Sequence, residues 1–460
     1  MRARMTGMGL IVLVLAASAG AQTGDQGWIS LFDGKSLEGW KVSGNAGTFS
    51  VRDGAIVAHG PFSHLFYAGP IYYGDFKDFE LKVDVMTEPV ANGGVFFHTQ
   101  YQEKGLVAKG FEVQVNNSDS TDPLRTGSLY KMRDVRETPA KDREWFTLHV
   151  VVEGKHVTVD VGGRKLVDWT EPNPPKPPSD RPGRVLSSGT FALQGHDERS
   201  TVYYKNIYVK PLFPLADYHV HLKGGLTIDD LVAIFQPRAV RIGVAENCGV
   251  GFPTNNDEGL KKALQKLEGK PVYRAMQAEG REWVKMFSPE MIAKFDYVFT
   301  DSMTWTNDRG KRMRLWIPNE VEVGDKQQFM DMLVDRTVGI LNNEPIDIYV
   351  NPTFLPAVIA SEYDALWTDE RMDKVIQAAV KNGVAIEINA RYKLPGEKFI
   401  KKAKAAGAKF SFGTNNASKD DLGDLAYSRL MAVRCGLTAA DMFVPKPDGQ
   451  KPVQKKGLPK

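Results

Sequence analysis

Apolar and polar residues alternate in short runs through the first half of the chain. This alternation, with turn signals between the runs, is typical of β-strands that bury one face. No amphipathic helix interrupts them, so residues 28–212 are predicted to form a sandwich of two antiparallel sheets. The proline-rich run 172–182 is interpreted as a long loop inside it. The predicted strands are residues 79–85, 94–100, 111–115, 145–152, 156–161, 190–196 and 202–209.

A different pattern begins after residues 211–214 (PLFP), where strand-like and helix-like stretches take turns. Strands are predicted at residues 216–221, 239–244, 272–278, 297–301, 346–350, 385–389 and 409–413. Helices are predicted at residues 259–267, 327–341, 370–382 and 397–406. Seven strand–helix units predict a closed or nearly closed parallel α/β barrel over residues 213–443. The lysine- and proline-rich tail, residues 444–460, is predicted to be disordered.

Composition agrees with a two-domain globular protein. The chain has 460 residues, of which 42% are hydrophobic and 25% charged. A net charge of +3 gives no reason to expect nucleic acid as a partner. The only cysteines, Cys248 and Cys435, lie far apart in the sequence. Two buried free thiols are favoured over a bridge.

The N-terminus predicts export. Arg2 and Arg4 precede a short apolar run, and residues 19–21 (AGA) have the small side chains of a cleavage site. Residues 1–21 are therefore interpreted as a signal peptide, which places the mature protein in a periplasm or outside the cell. An uncleaved membrane anchor is the alternative. No later segment is long and apolar enough to predict a membrane span.

The barrel half carries a candidate metal motif. His219 and His221 are one residue apart at the end of a predicted strand, so both imidazoles can reach one ion. Active sites of parallel barrels lie at the carboxyl ends of the strands. Other polar residues at predicted strand ends are Glu246, Asn247, Glu279, Asp301, Asn351, Glu387, Asn389, Asn415 and Asn416.

These features resemble the polymerase-and-histidinol-phosphatase superfamily, whose fold is a seven-stranded distorted barrel. The resemblance covers roughly residues 215–443 and implies His219, His221 and Glu279 as metal ligands. Where the family has a histidine near the fourth strand, this chain offers Asp301, and Asp301 or Glu387 could complete the ligand set. The chain departs from the family pattern at residues 413–417 (GTNNA), where amides replace the expected aspartate and histidine. Two interpretations stay open: one divalent ion at most, or a retired site that binds none.

The sandwich half carries a denser set of polar groups. Strict alternation places Glu112, Gln114 and Asn116 on one face of a strand. The same reasoning puts His98 on a neighbouring strand beside them, and Gln194 with His196 on a third. Tyr130 and Lys131 end the run of residues 127–131 (GSLYK). Aromatic rings can stack on sugars, and amides and imidazoles can pair with hydroxyls.

This half resembles the 3-keto-disaccharide hydrolase domain family, often labelled a family 16 glycoside hydrolase. The stretches that carry the resemblance are residues 31–40 (LFDGKSLEGW), 92–97 (NGGVFF), 111–114 (FEVQ), 126–130 (TGSLY) and 189–197 (GTFALQGHD). The resemblance implies a concanavalin-like sandwich. It also implies cleavage of glycosides already oxidised to a ketone at C3.

That chemistry suits a face with a single acid, because ordinary glycosidases need two carboxylates. A C3 ketone acidifies the C2 proton, so one base could start an elimination that water completes. The hypothesis assigns Glu112 as the base and His98 or His196 as its acid partner. Gln114, Asn116, Tyr130, Lys131 and Gln194 would contact an oxidised saccharide, with no cofactor evident in this half.

Two rival functions remain. The sandwich could bind carbohydrate without catalysis, as in a lectin, or it could deliver a one-metal barrel hydrolase to polysaccharide. The pattern of residues does not set the assembly state, the linkage or the aglycone.

Overall fold

The computed structural model describes residues 27–318 and 320–460. The signal peptide predicted at residues 1–21 lies outside the described residues, so that prediction is untested. Within the described part of the chain, no helix has the length and apolar character to cross a membrane.

The first domain is built from antiparallel strands that form two sheets. An eight-stranded sheet has the order β11-β10-β9-β6-β13-β4-β3, with β1 added beside β13, and a five-stranded sheet has the order β2-β5-β12-β7-β8. The strands are β1 (Ile29–Ser30), β2 (Trp40–Gly44), β3 (Phe49–Arg52), β4 (Ala55–His59), β5 (Ser63–Tyr67), β6 (Phe79–Thr87), β7 (Asn92–Thr99), β8 (Phe111–Asn116), β9 (Phe146–Glu153), β10 (His156–Val161), β11 (Arg164–Thr170), β12 (Thr190–Gly195) and β13 (Thr201–Pro211).

The predicted alternation sets the core between the two sheets. In β6 every second residue is buried, and its apolar side meets the apolar side of β8. All seven predicted strands of this half are present, and β1 to β5 and β11 are additional. Strand β5 escaped prediction because it is buried on both faces, so it shows no alternation.

The second domain is a parallel seven-stranded sheet of order β14-β15-β16-β17-β20-β21-β22, with a hairpin, β18-β19, inserted after β17. Its strands are β14 (Ala216–Val220), β15 (Arg241–Gly249), β16 (Tyr273–Glu279), β17 (Tyr297–Thr300), β18 (Thr304–Thr306), β19 (Arg312–Arg314), β20 (Ile348–Tyr349), β21 (Ala385–Asn389) and β22 (Phe410–Gly413). Its helices are α1 (Ile228–Phe235), α2 (Asp257–Leu267), α3 (Pro289–Ile292), α4 (Lys326–Asn343), α5 (Tyr363–Leu366), α6 (Asp369–Asn382), α7 (Glu397–Ala405), α8 (Ala426–Arg434) and α9 (Pro452–Lys456).

The last strand of this sheet returns to the first, which makes the barrel nearly closed. The Asn415 amide N–H donates to the His219 carbonyl at 2.8 Å. The buried Asp217 carboxylate accepts from the Thr414 N–H at 2.9 Å and from the His219 N–H at 3.2 Å. One backbone hydrogen bond and the Asp217 side chain therefore join β14 to the end of β22 and the residues that follow it.

The prediction of a disordered tail is wrong. Residues after Phe443 pack under the barrel, where α9 follows Lys451 and buries Pro452 and Val453. Lys451 is itself buried, and its Nζ donates to the Ala293 carbonyl at 2.6 Å. The lysines suggested solvation, but the apolar contacts of this short helix order the segment.

The two cysteines form no bridge. Cys248 and Cys435 are both buried free thiols, which confirms that prediction. The two domains meet where Asp75 of the sandwich pairs with Arg429 of α8 at 2.8 Å.

Candidate functional site

Glu112 lies on the face of the five-stranded sheet that points away from the core. On this face the row of paired residues runs Glu112, Phe96 and Ala192, on β8, β7 and β12. The side chain of Glu112 is mostly buried but keeps 11% of its exposure. A Cβ at Gly94 would lie 3.0 Å from Glu112 Oε1, so the glycine leaves the space that the carboxylate occupies.

Arg184 is the main polar partner of this carboxylate. Its Nη2 donates to Glu112 Oε2 at 3.2 Å, and its Nη1 donates to the Tyr130 carbonyl. Arg184 lies in the loop that follows the proline-rich run. Gly183 lets this loop pack against the residues just before β8, because a Cβ at Gly183 would overlap the Ala108 carbonyl oxygen. The Gly110 N–H donates to the Gly183 carbonyl at 3.0 Å.

The surroundings of Glu112 shift its acidity in two directions. Burial is the larger effect and raises the pKa to about 7, while the Arg184 and Arg181 guanidinium groups lower it and Asp122 raises it. The net result is a carboxyl group that exchanges its proton near neutral pH. A general base works best with a pKa near the operating pH, so Glu112 is suited to take up a proton.

Gln114 and Asn116 share the face of Glu112, as predicted. Gln114 Nε2 donates to Asn92 Oδ1 at 3.1 Å and to Asp122 Oδ2 at 3.3 Å. Asn116 is fully engaged: its amide binds three carbonyls of the loop that follows β8, including that of Leu124 at 3.1 Å. Asn116 is therefore a loop scaffold, and its assignment as a substrate contact is corrected.

His98 does not join this group, and that prediction is wrong. Its backbone has a φ of 53°, in the left-handed region, where the pairing of β7 with β12 shifts register. The ring therefore turns to the core side, 5.7 Å from the Phe79 ring, and its Nε2 bonds the Lys77 carbonyl at 2.7 Å. Burial lowers the pKa of His98 to about 3, so it stays neutral.

His196 is also remote from Glu112. It follows the end of β12 and lies four residues beyond Ala192, which shares the row of Glu112. Four residues of strand span about 13 Å. The His196 ring is 39% exposed and its Nδ1 lies 3.0 Å from Asp197 Oδ2. The assignment of His196 as the acid partner of Glu112 is corrected for this reason.

The remaining sandwich residues divide into two groups. Tyr130 is half-buried, and the Arg184 guanidinium carbon lies 5.3 Å from the centre of the Tyr130 ring. Burial raises the pKa of Tyr130, so the Tyr130 hydroxyl keeps its proton. Lys131 points outward to pair with Asp180 at 2.7 Å. Gln194 is buried beside His64 on β5, and neither Gln194 Oε1 nor His64 Nε2 has a partner within the described residues.

The barrel residues do converge at the carboxyl end of the strands. His219 Nδ1 lies 2.6 Å from Glu387 Oε1, and Asp301 Oδ2 accepts from the Asn351 amide at 2.8 Å. Glu279 accepts from Asn247, Gln277 and Thr304 at 3.3, 3.0 and 3.0 Å. Burial, with the Asp301 charge second, raises the pKa of Glu279 to about 7.

These contacts bear on the predicted metal site. His219 Nε2 and His221 Nδ1 are buried and have no partner within residues 27–318 and 320–460, as expected of nitrogens that could bind an ion. In the same residues, however, no group of three His, Cys, Asp or Glu side chains has the arrangement of a metal site. The fit is therefore partial: two free imidazole nitrogens beside carboxylates that amides and hydroxyls already engage. The metal stays a prediction.

Arg184, Arg181 and Asp122 were missed by the sequence reasoning because they lie in loops. Residues 181–184 (RPGR) follow the proline-rich run, and a Pro-Gly turn between two arginines was the available signal. Asp217 was missed because nothing in the local pattern distinguishes an aspartate inside a buried strand.

Comparison with known proteins concerns the sandwich. Residues 27–210 match the family model described as a 3-keto-alpha-glucoside-1,2-lyase-like domain. The sandwich is therefore similar to a carbohydrate-processing family, and the barrel lies outside the match. Among curated proteins, none matches the chain.

Several solved structures are similar to the same part of the chain. A putative glycosyl hydrolase from Parabacteroides distasonis is 25% identical, covers 40% of this chain and 94% of its own, and gives a TM-score of 0.35. The carbohydrate-binding module CBM66 from Bacillus subtilis is 15% identical, covers 37% of this chain and 95% of its own, and gives 0.27. At these TM-scores the likenesses add nothing to the argument from the site.

Proposed function

We propose that the sandwich domain cleaves glycosides that are oxidised to a ketone at C3. The observation that carries the proposal is Glu112: a single, mostly buried carboxyl with a pKa of about 7, beside the Arg184 guanidinium. The family match of residues 27–210 supports the same substrate class.

The proposed reaction begins with removal of the C2 proton by the Glu112 carboxylate. The C–H electron pair moves toward the C3 carbonyl and forms an enolate. The enolate then re-forms the ketone as the C1–C2 double bond develops and the C1–O bond breaks. The leaving oxygen takes a proton, and water adds across the new double bond to release the 3-keto sugar. The reaction needs no second carboxylate, in contrast to ordinary glycoside hydrolysis.

Neighbouring groups can supply what this reaction needs besides the base. The Arg184 guanidinium is a fixed positive charge within 3.2 Å of the Glu112 carboxylate, where it can stabilise negative charge that develops on the substrate. Tyr130 retains its proton and takes the role of donor to the leaving oxygen that His98 and His196 cannot fill. Gln114 and Gln194 are the proposed contacts to sugar hydroxyls.

The test is the release of 3-keto-glucose from a synthetic 3-keto-glycoside by the purified chain. Glu112→Gln keeps the shape of the side chain but cannot accept the proton, and we expect it to lower the rate by about 10² to 10⁴-fold. Glu80→Gln is the matched control, since Glu80 is a partly exposed carboxylate of the same domain that pairs with His149 and Lys210 on the other sheet. Equal activity of the Glu112→Gln variant and the wild type would refute the proposal.

A second candidate function places chemistry in the barrel, and the unpartnered His219 Nε2 and His221 Nδ1 favour it. A divalent ion bound there would polarise a ligand oxygen or lower the pKa of a bound water. Under this alternative the sandwich only binds carbohydrate. The metal content of the purified chain tests this alternative. His219→Ala and His221→Ala should each lose the ion. His149→Ala should keep it, because His149 lies on β9 in the eight-stranded sheet of the sandwich.

We also propose that the protein acts outside the cytoplasm. The proposal rests on the signal-like residues 1–21 alone. N-terminal sequencing of the protein isolated from its host would test it, since cleavage is expected before Gln22.

A further inference from the structure

A cavity opens at the carboxyl end of the barrel strands, apart from the sandwich site. Its volume is about 300 Å³, and its lining includes His221, Lys223, Glu279, Asp301 and Arg391. Ligand pockets range from about 300 to 1,000 Å³. The cavity therefore suits one small molecule, such as a single sugar ring, and is too small for a length of polymer.

Lys223 and Arg391 line this cavity, and the Asp421 carboxylate is near enough for its charge to act on both without a direct ion pair. Lys223 Nζ donates to the Asn416 carbonyl at 3.2 Å, and Arg391 Nη1 approaches the Asn415 carbonyl at 3.4 Å. Among the residues that the structure describes, neither side chain forms an ion pair. Most exposed cations can remain unpaired at little cost, but these two line the same cavity, where together they favour an anion.

The inner wall of the cavity has the opposite character. Glu279 and Asp301 are buried carboxyl groups, and the amides of Asn247, Asn351 and Gln277 surround them. Carboxylates and amides pair well with hydroxyl groups. They would also repel an anion, so a charged group on a ligand is directed outward, toward Lys223 and Arg391.

Two further observations point to a ligand. His221 is 3% exposed, lines the cavity, and its Nδ1 has no partner within the described residues; the buried Gln277 Oε1 also has none. Buried polar atoms are nearly always paired, so unpaired atoms around a cavity need an explanation. The rings of Trp316 and Tyr392 also line the cavity, remain partly exposed and can cover the face of a sugar ring.

We propose that the barrel cavity binds an acidic monosaccharide. The hydroxyl groups face Glu279, Asp301 and the amides, and the anionic group lies between Lys223 and Arg391. A carboxylate and a phosphate share this chemistry, so a sugar acid and a sugar phosphate are both candidates. The inference is independent of the chemistry at Glu112.

Calorimetric titration of the full chain with glucuronate, glucose 6-phosphate and glucose tests the proposal, with and without prior treatment with a chelator. We expect at least one of the two acids to bind at least tenfold more tightly than glucose in both conditions. The acid that binds more tightly shows whether the site prefers a carboxylate or a phosphate. Equal affinity for glucose and both acids, or no binding of any of the three, would overturn the inference.

Charge-removing variants locate the site. Lys223→Met and Arg391→Met should each weaken binding of the acid at least tenfold and leave the affinity for glucose unchanged. Lys381→Met, at the end of α6, is the matched control, because Lys381 is exposed and distant from the cavity lining. Unchanged affinity in both cavity variants, with the fold intact by circular dichroism, would refute the assignment. Binding that disappears with the chelator and returns with a divalent ion would also refute it, because the ion would then hold the acid.

Discussion

The sandwich and the barrel each contain a glutamate whose pKa burial raises to about 7, but the two carboxyl groups are bound differently. Glu112 receives a single side-chain hydrogen bond, from Arg184, among the residues described. Glu279 receives three, from Asn247, Gln277 and Thr304. The two carboxyl groups therefore have similar pKa values but different numbers of side-chain hydrogen-bond donors. Glu112 can approach a substrate proton, whereas Glu279 would first have to release its partners.

The largest expected difference is between variants of these two glutamates. Glu112→Gln should reduce 3-keto-glycoside cleavage by about 10² to 10⁴-fold, because the base is lost. Glu279→Gln should leave the rate within about threefold, the range of ordinary context effects, since Glu279 lies in the other domain. Steady-state kinetics of both variants would check this. The comparison fails if the barrel variant loses as much activity as the sandwich variant.

Substitution of His98 separates structure from catalysis within the sandwich. His98→Ala removes a buried ring that packs on Phe79 and bonds the Lys77 carbonyl, so we expect a loss of about 2 to 4 kcal/mol in the free energy of unfolding. The kcat of the folded variant should change little, because the ring lies on the core side of the sheet. Denaturant melts with kinetics measure both, and a lower kcat without a loss of stability would restore His98 to the active site.

Removal of Arg184 should move the pH dependence of the reaction. The guanidinium lowers the pKa of Glu112, so Arg184→Met raises that pKa further above about 7. Since the base works when deprotonated, the rising limb of kcat/KM against pH should shift to higher pH, by about one unit or more for a close opposite charge.

Arg125→Met is a matched control for this shift, because Arg125 binds loop carbonyls and not Glu112. The limb of the control should stay near the wild-type position. A limb that does not move in the Arg184 variant would show that another group controls the profile.

The smallest effect is expected at Lys131. Its ion pair with Asp180 is exposed on both sides, and pairs of this kind contribute less than about 1 kcal/mol. Lys131→Ala should therefore change neither stability nor KM appreciably. A large rise in KM would instead place Lys131 at the bound sugar, as the sequence first suggested.

Most of the architecture followed from patterns along the chain. The seven predicted strands of the sandwich and the seven of the barrel are present, and the boundary near residues 211–214 agrees with the last sandwich strand, β13, and the first barrel strand, β14. Alternation also placed Glu112 and Gln114 correctly on one face. These predictions depend on local periodicity, which is a property of the sequence itself.

The errors arose where an unusual backbone conformation or a contact between distant segments decides the outcome. The left-handed backbone of His98 turns its ring to the core side of the sheet, and alternation along the sequence could not predict this. The lysines of the tail beyond Phe443 predicted a solvated segment, but its apolar residues Pro452 and Val453 are buried against the barrel. The His98 error therefore came from the backbone conformation of that residue, and the tail error came from contacts with a distant segment.

The sequence by itself determined that there are two domains, their order along the chain, and the shared strand face of Glu112 and Gln114. Hydrophobic periodicity specifies these features because it shows which face of a strand is buried. Only the tertiary structure brought Arg184 from a loop 72 residues away to 3.2 Å from that carboxylate. The acidity of Glu112 depends on that approach and on the burial around it. Desolvation and charge act through space, so no pattern along the chain records them.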